Sequence, residues 1–201
     1  NGTKKNTESR ISGGKQMKID GIEISLIKHY EVGDVLDFQQ DGKEHIKVLL
    51  VDRHANGMFV GFSVDCLSEL KPMNEEDSNR GGYDASDLCK YLNSNEFMNI
   101  LPDRLRDRVE AVRIPFVEEM FGSDDDYEDI NVTVKQLELM KARRNRIAFQ
   151  GCDSNNWCWY WMMNRRKDSA ANFACVAGDG SCNYDNASGS DGVRPVFLLN
   201  L

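Results

Sequence analysis

The chain has three histidines, His29, His45 and His54, and none stands in an HxH or HExxH spacing. The common imidazole zinc sites are therefore excluded. Its six cysteines, Cys66, Cys89, Cys152, Cys158, Cys175 and Cys182, include no CxxC pair. They are too few for a disulfide scaffold in 201 residues, so they read as thiols in a reducing compartment. No GxSxG elbow, phosphate-cradling P-loop or GxGxxG turn after a strand is present, which removes the chemistries those motifs serve. No cysteine has a histidine near it in sequence to activate it. No apolar run approaches the roughly 18 to 20 residues of a membrane span. A basic surplus is lacking as well, since the net charge is −8, which argues against nucleic acid as a partner. These absences point to a binding protein, not an enzyme, without cofactor or metal.

What is present begins quietly. Residues 1–18 are polar and without period and read as a flexible leader. The chain opens on Asn1, with no charged-then-apolar signal segment, as a processed or trimmed product would. A single domain is expected over 19–201. Alternation at Ile22, Ile24 and Leu26, then Val35, Leu36 and Phe38, then His45 to Arg53 and Met58 to Val64, predicts a β-meander. Asp41-Gly42 and Asn56-Gly57 supply its turns.

After Pro72 the period changes. Asp84 or Ser86 caps a helix whose Leu88, Tyr91 and Leu92 share a face. A second short helix carries Phe97, Ile100 and Leu101, and a third runs from Asp103 to Val109. A strand over Ala111 to Val117 and a helical turn stopped by Gly122 follow. The acidic run Ser123 to Asp129 lacks the glycine and the closing glutamate of a calcium loop, so it reads as a solvated loop. Val134 to Arg144 is predicted helical, with Leu137 and Met140 inward.

The last fifth has a different character. WCWYW (Trp157 to Trp161) alternates as a strand with one buried indole face, and Val193, Pro195, Phe197 and Leu199 alternate as a closing strand. Pro195 suits an edge or a bulge. Between them only Asn172 to Gly178 is apolar enough for a third strand, and the rest is Gly, Asn, Ser, Asp and Ala.

GGYDASDLCKYLNSNEF from Gly81, PFVEEMFG (Pro115 to Gly122), NRIAF (Asn145 to Phe149), the aromatic strand, NFACVAGDG and GVRPVFLL occur in one order over residues 45–201. That series resembles a phage and gut-bacterial domain group related to the C-type lectin fold. Many of its members are similar to variable proteins of diversity-generating retroelements, in which adenine-directed copying randomises a ligand-binding face. Met162-Met163-Asn164-Arg165 departs from the Leu-Arg-Ser-Pro usual in relatives, and Arg194-Pro195 from their Ala-Pro.

The resemblance implies an α+β chain with a C-type lectin-like fold of the formylglycine-generating-enzyme-type variant. Small twisted antiparallel sheets, built partly from the aromatic and closing strands, would carry two to four helices. It implies a variable ligand-binding region at about 153–191, and an unknown protein or glycan ligand on a target cell surface. Display on a phage tail or a bacterial cell surface follows, with no nucleic acid, no membrane insertion, and an oligomer open. Ser169, Asn172, Cys175, Ser181, Asn183, Tyr184, Asp185 and Asn186 are the candidate variable positions, expected on one solvent-facing surface.

Adenine-directed change of an AAC or AAT codon at its first two positions cannot give Lys, Glu, Gln, Met or Trp. None of the five occurs from Asp168 to Asp191. Two alternatives stand beside this reading. One is a static structural virion protein, and the other is an oxidase of formylglycine-generating type using Cys175 and Cys182.

Overall fold

The computed structural model describes residues 16–19, 22–25, 29–128, 134–152 and 154–201, the first two stretches by backbone alone. Contacts divide the chain into two compact units, residues 1–31 and 32–201. In the first, β1 (Gln16–Ile19) and β2 (Ile22–Ser25) pair antiparallel with Met17 opposite Ile24. The leader expected over 1–18 thus lies outside the described residues up to position 15, and its last three residues belong to β1.

The second unit opens with the expected meander: β3 (Val35–Phe38), β4 (Ile46–Arg53) and β5 (Phe59–Ser63) are consecutive antiparallel neighbours. Gly57 takes the left-handed conformation (φ 90°) that the β4–β5 turn requires, and Asn56 Oδ1 accepts from Met58 N at 3.1 Å. Five short α-helices are formed among the described residues, more than the two to four expected. They are α1 (Gly82–Ala85), α2 (Asp87–Leu92), α3 (Asn95–Ile100), α4 (Asp103–Arg106) and, after strand β6 (Val109–Arg113), α5 (Val117–Phe121). Ser86 and Ser94 cap α2 and α3, accepting from the amides of Cys89 and Phe97. The third predicted helix is cut at Arg106 because Val109 is already paired in β6.

The predicted helix over 134–144 does not form. Two single 3₁₀ turns, Glu138–Lys141 and Arg143–Arg146, stand there. Side-chain bonds account for the change. Asn145 Nδ2 donates to Leu139 O (2.6 Å) and Arg146 Nη1 to Met140 O (2.6 Å). Arg143 Nε reaches out to Asp179 O (2.7 Å) and Arg146 Nε to Gly180 O (2.9 Å). Tertiary bonds of this kind outweigh the few tenths of a kcal/mol per residue that propensity supplies.

The remaining strands are β7 (Ala148–Phe149), β8 (Trp157–Cys158), β9 (Tyr160–Arg165), β10 (Asn172–Val176), β11 (Cys182–Asn186) and β12 (Val196–Leu199). They complete a five-stranded antiparallel sheet, β3-β4-β5-β12-β6, and form a three-stranded one, β11-β10-β9, and the β7-β8 pair. The expectation that the aromatic and closing strands share a sheet is corrected: among the described residues their backbones pair at an isolated bridge between Tyr160 and Gly192, and they belong to different sheets. The closing strand is central, not an edge. Pro195 precedes its first ladder residue, and the Pro195 carbonyl accepts from Ser63 N at 2.8 Å, so its missing N–H costs no ladder bond.

One core joins the two larger sheets. Phe62, Val60 and Val196 from the first meet Tyr160, Met162, Ala174 and Val176 from the second, with Val117 and Met120 of α5 alongside. Each large apolar side chain so buried contributes about 1.5–3 kcal/mol. The architecture is mixed α+β, built mostly of antiparallel sheet. Among the described residues no helix is long and apolar enough to cross a membrane.

Candidate binding surface

The tract singled out by composition becomes the β10–β11 hairpin and the loops beside it. β10 is the central strand of its sheet and β11 the edge. Burial follows that order: Phe173 to Val176 are fully buried, whereas β11 residues are half-buried or exposed. Cys175 is therefore corrected as an exposed position. It is 0 % exposed, held between Trp161 and Asn183, and burial pushes its thiol well above the ordinary range.

The other seven candidates reach solvent, but not on one surface. Successive β11 side chains alternate between faces, so Asn183 and Asp185 point one way and Tyr184 and Asn186 the other. As the edge strand, β11 opens both faces to solvent at its free side. Ser169 Oγ accepts from the amides of Ala171 and Asn172 at 3.1 Å each, which turns the chain into β10. Asn79 Nδ2 donates to the carbonyls of Ser169 (2.8 Å) and Asn172 (3.1 Å). Ser181 donates through both Oγ and N to Asp179 Oδ1, which holds that carboxyl below the usual range and fixes the turn. Tyr184 is 43 % exposed and lies on the Arg166 guanidinium, 3.7 Å from the ring centroid; Arg166 in turn donates to Asp168. The ring is thus pre-positioned by a cation–π contact.

Two residues missed by the sequence reading join this surface. Trp157 is 73 % exposed and Trp159 42 %. The run is not one strand: Cys158 pairs with Ala148, Tyr160 with Val176, and Trp159 falls in the break. The sheet uses the opposite parity from the one the indoles suggest, burying Cys158 and Tyr160, and then Trp161 after the break. Gly178, at the hairpin turn, makes room for both indoles, since a Cβ there would lie 3.3 Å from Trp157 Cβ and 3.8 Å from Trp159 Nε1. The signal available in sequence was Gly178 itself, placed opposite a run of large aromatics.

Cys175 and Cys182 do not form the reactive pair of the oxidase alternative. Cys182 pairs with Val176, one position out of step with Cys175, so the two thiols face opposite sides of the sheet. Among the described residues no group of three or more His, Cys, Asp or Glu side chains is arranged to hold a metal ion. A cleft of about 730 Å³ lies elsewhere, floored by Val60 and Leu198 of the five-stranded sheet and walled by residues 134–138. Arg113 and Glu119 in its lining pair with each other, and Asp52, His54, Lys135 and Glu138 line it as well.

Under the hairpin sits a buried carboxylate. Asp191 is 8 % exposed, and its Oδ2 has no hydrogen-bond partner. Burial, and then the charge of Asp185, push its pKa up to about 7. Lys71 does not neutralise it, being paired with Glu69 and stacked on Tyr91. In the unfolded chain the same acid releases its proton near 4. The folded state therefore binds the extra proton between about pH 4 and 7, and its stability falls as pH rises through that window. Asp191→Asn is expected to remove that penalty, on the order of 2 kcal/mol above pH 7 and near zero at pH 4. Thermal melts of both proteins from pH 4 to 8 check this. Parallel pH profiles would contradict it.

No protein-family model, curated protein or solved structure shows a significant match to this chain.

Proposed function

We propose that the chain is a ligand-display protein of C-type lectin type, in the formylglycine-generating-enzyme-type variant of that fold. On this reading its region 153–191 is diversified by adenine-directed retroelement copying. It serves recognition at a target cell surface, carried on a phage tail or a bacterial surface, and catalyses no reaction.

The observation that carries the reading is the division between scaffold and tract. The stretch free of Lys, Glu, Gln, Met and Trp spans the β10–β11 hairpin and its loops, where β11 and the loops reach solvent and Phe173 to Val176 of β10 are buried, while Tyr160 to Met163 and Val193 to Phe197 on either side are buried throughout. A fold tolerates arbitrary side chains only where they are exposed. Tyr184 on its Arg166 platform, and Trp157 and Trp159 against Gly178 at the hairpin turn, supply rigid aromatic contact area. Ser181, Asn183 and Asn186 supply adaptable polar groups.

Deep sequencing of the gene through serial propagation tests the reading. Changes confined to adenines in codons of region 153–191 support it, and an unvaried region favours a static virion component. A companion measurement concerns tolerance. Joint replacement of Ser181, Asn183, Tyr184 and Asn186 by Ala is expected to leave cooperative unfolding intact, each change costing about 0.5 kcal/mol or less. Loss of the folded state in that variant would overturn the claim that the hairpin is a permissive surface.

A further inference from the structure

Two cysteines far apart in sequence meet at Gly192. A Cβ on that glycine would lie 2.3 Å from Cys158 Sγ and 2.8 Å from Cys66 Sγ, so both sulfurs fill the space that the missing side chain leaves. The Cys158 Sγ–H itself donates to the Trp159 carbonyl at 3.1 Å. Cys66 follows β5, and the backbone holds it in place: its N–H donates to Phe149 O (2.9 Å) and its carbonyl accepts from Gly151 N (3.1 Å). Cys158 is held by pairing with Ala148. The two strands that present the sulfurs are thus fixed through one neighbour, the 148–151 segment.

We propose that Cys66 and Cys158 are a disulfide-forming pair that closes in the folded protein by exchange with a small-molecule disulfide of the glutathione class. The roles are unequal. The neighbouring Cys66 holds the Cys158 thiol below its ordinary range, whereas burial and the same neighbour raise Cys66 well above its own. Cys158 is accordingly the attacking thiolate and Cys66 the resolving thiol.

Cys158 thiolate attacks one sulfur of the small disulfide, forming a mixed disulfide and releasing one small thiolate. That thiolate takes the Cys66 proton. Cys66 sulfur then attacks Cys158 sulfur and expels the second small thiolate, which is protonated from solvent. Two protein thiols are oxidised to one disulfide, and one small disulfide is reduced to two thiols.

Access comes through the weakest pairing in this region. Cys158 is 4 % exposed, but β7 and β8 are two residues each, and Cys158 lies between the exposed Trp157 and Trp159. Opening that short ladder is the smallest opening that frees the thiol, since Ala148 and Cys158 sit at the margin of the strand pairing while belonging to the same buried cluster as Phe62. Once closed, the bond ties β8 and the flanking Trp159 to the segment that follows β5. The loop it closes is long, so the denatured chain loses much entropy.

The test uses the full chain in native buffer, equilibrated across ratios of oxidised to reduced glutathione, alkylated, and mapped by non-reducing mass spectrometry. The expected product is a Cys66–Cys158 cross-linked peptide pair with a loss of about 2 Da. A rise in Tm of roughly 5–15 °C, reversed by dithiothreitol, should accompany it. Cys66→Ser and Cys158→Ser should each abolish the rise, while Cys89→Ser and Cys182→Ser keep it. The map of the unsubstituted chain decides the question even if a serine variant fails to fold. Cys66 and Cys158 still alkylated under oxidising ratios, Cys158 stopped at the mixed disulfide, or a cross-link to another cysteine would each overturn the proposal.

Discussion

Replacing Trp161 by alanine is expected to destabilise the second unit by about 3–5 kcal/mol, and Tm to fall by roughly 6–20 °C. Trp161 is completely buried and is among the largest side chains in the core. Its Nε1 donates to Lys71 O at 2.8 Å, and its amide to Gly192 O at 3.1 Å. The first bond matters beyond itself, because Lys71 also pairs with Asp191, so the indole fastens the loop beyond Leu67 to the end of the Gly-, Asn- and Ser-rich tract. Truncation leaves a cavity and an orphaned carbonyl together. Trp161→Phe keeps most of the bulk and loses only the donor, so about 1–2 kcal/mol is expected there. Trp157→Ala, at a position 73 % exposed, should change stability by no more than about 0.5 kcal/mol. Denaturant melts of the three variants decide the matter. Equal losses at Trp157 and Trp161, or none at Trp161, would overturn the strand assignment.

That contrast marks the boundary of what the sequence made legible. The meander was readable because Asp41-Gly42 and Asn56-Gly57 terminate strands by local chemistry, and the Ser86 cap because its bond is to its own helix. Partners distant in sequence were not readable. WCWYW shows period two at the indoles, yet pairing to β7 and then β10 breaks the strand at Trp159, so that Cys158, Tyr160 and Trp161 are buried and Trp157 and Trp159 are not. The helix over 134–144 has the right periodicity, and it is lost to guanidinium bonds with the hairpin turn more than thirty residues later.

The candidate surface was half legible for the same reason. Gly, Asn and Ser announce exposed turns wherever they occur. Whether a strand such as Asn172 to Val176 lies at the centre or the edge depends on its neighbours, and that position is what buries Cys175 while leaving Tyr184 in solvent.

Arg194 is the second residue on which a large effect is expected, and it shows how the five-stranded and three-stranded sheets are joined. It is 2 % exposed and makes no ion pair with a carboxylate among the described residues. Its Nε donates to Ser63 O (2.8 Å), and its Nη1 to Tyr160 OH (2.9 Å) and Asn145 O (3.2 Å). The guanidinium carbon also lies 5.2 Å from the Tyr160 ring centroid and 6.0 Å from that of Phe62. The charge is thus compensated by carbonyl dipoles and ring faces from β5, β9 and the 3₁₀ turn at Asn145. Tyr160 OH extends the chain by donating to Arg146 O at 2.5 Å.

Arg194→Ala removes the one group that bonds all three, leaving buried acceptors without donors, and a loss of about 3–5 kcal/mol is expected. Arg194→Lys should recover little of it, because an ammonium cannot present the planar fork that reaches Ser63 and Tyr160 together. Tyr160→Phe alone should cost about 1–2 kcal/mol. In a double-mutant cycle with Arg194→Ala the two losses should be less than additive, since the first already breaks their shared bond. Strict additivity, or a lysine variant as stable as the parent, would show that Arg194 acts by volume and not as the bond between the two sheets.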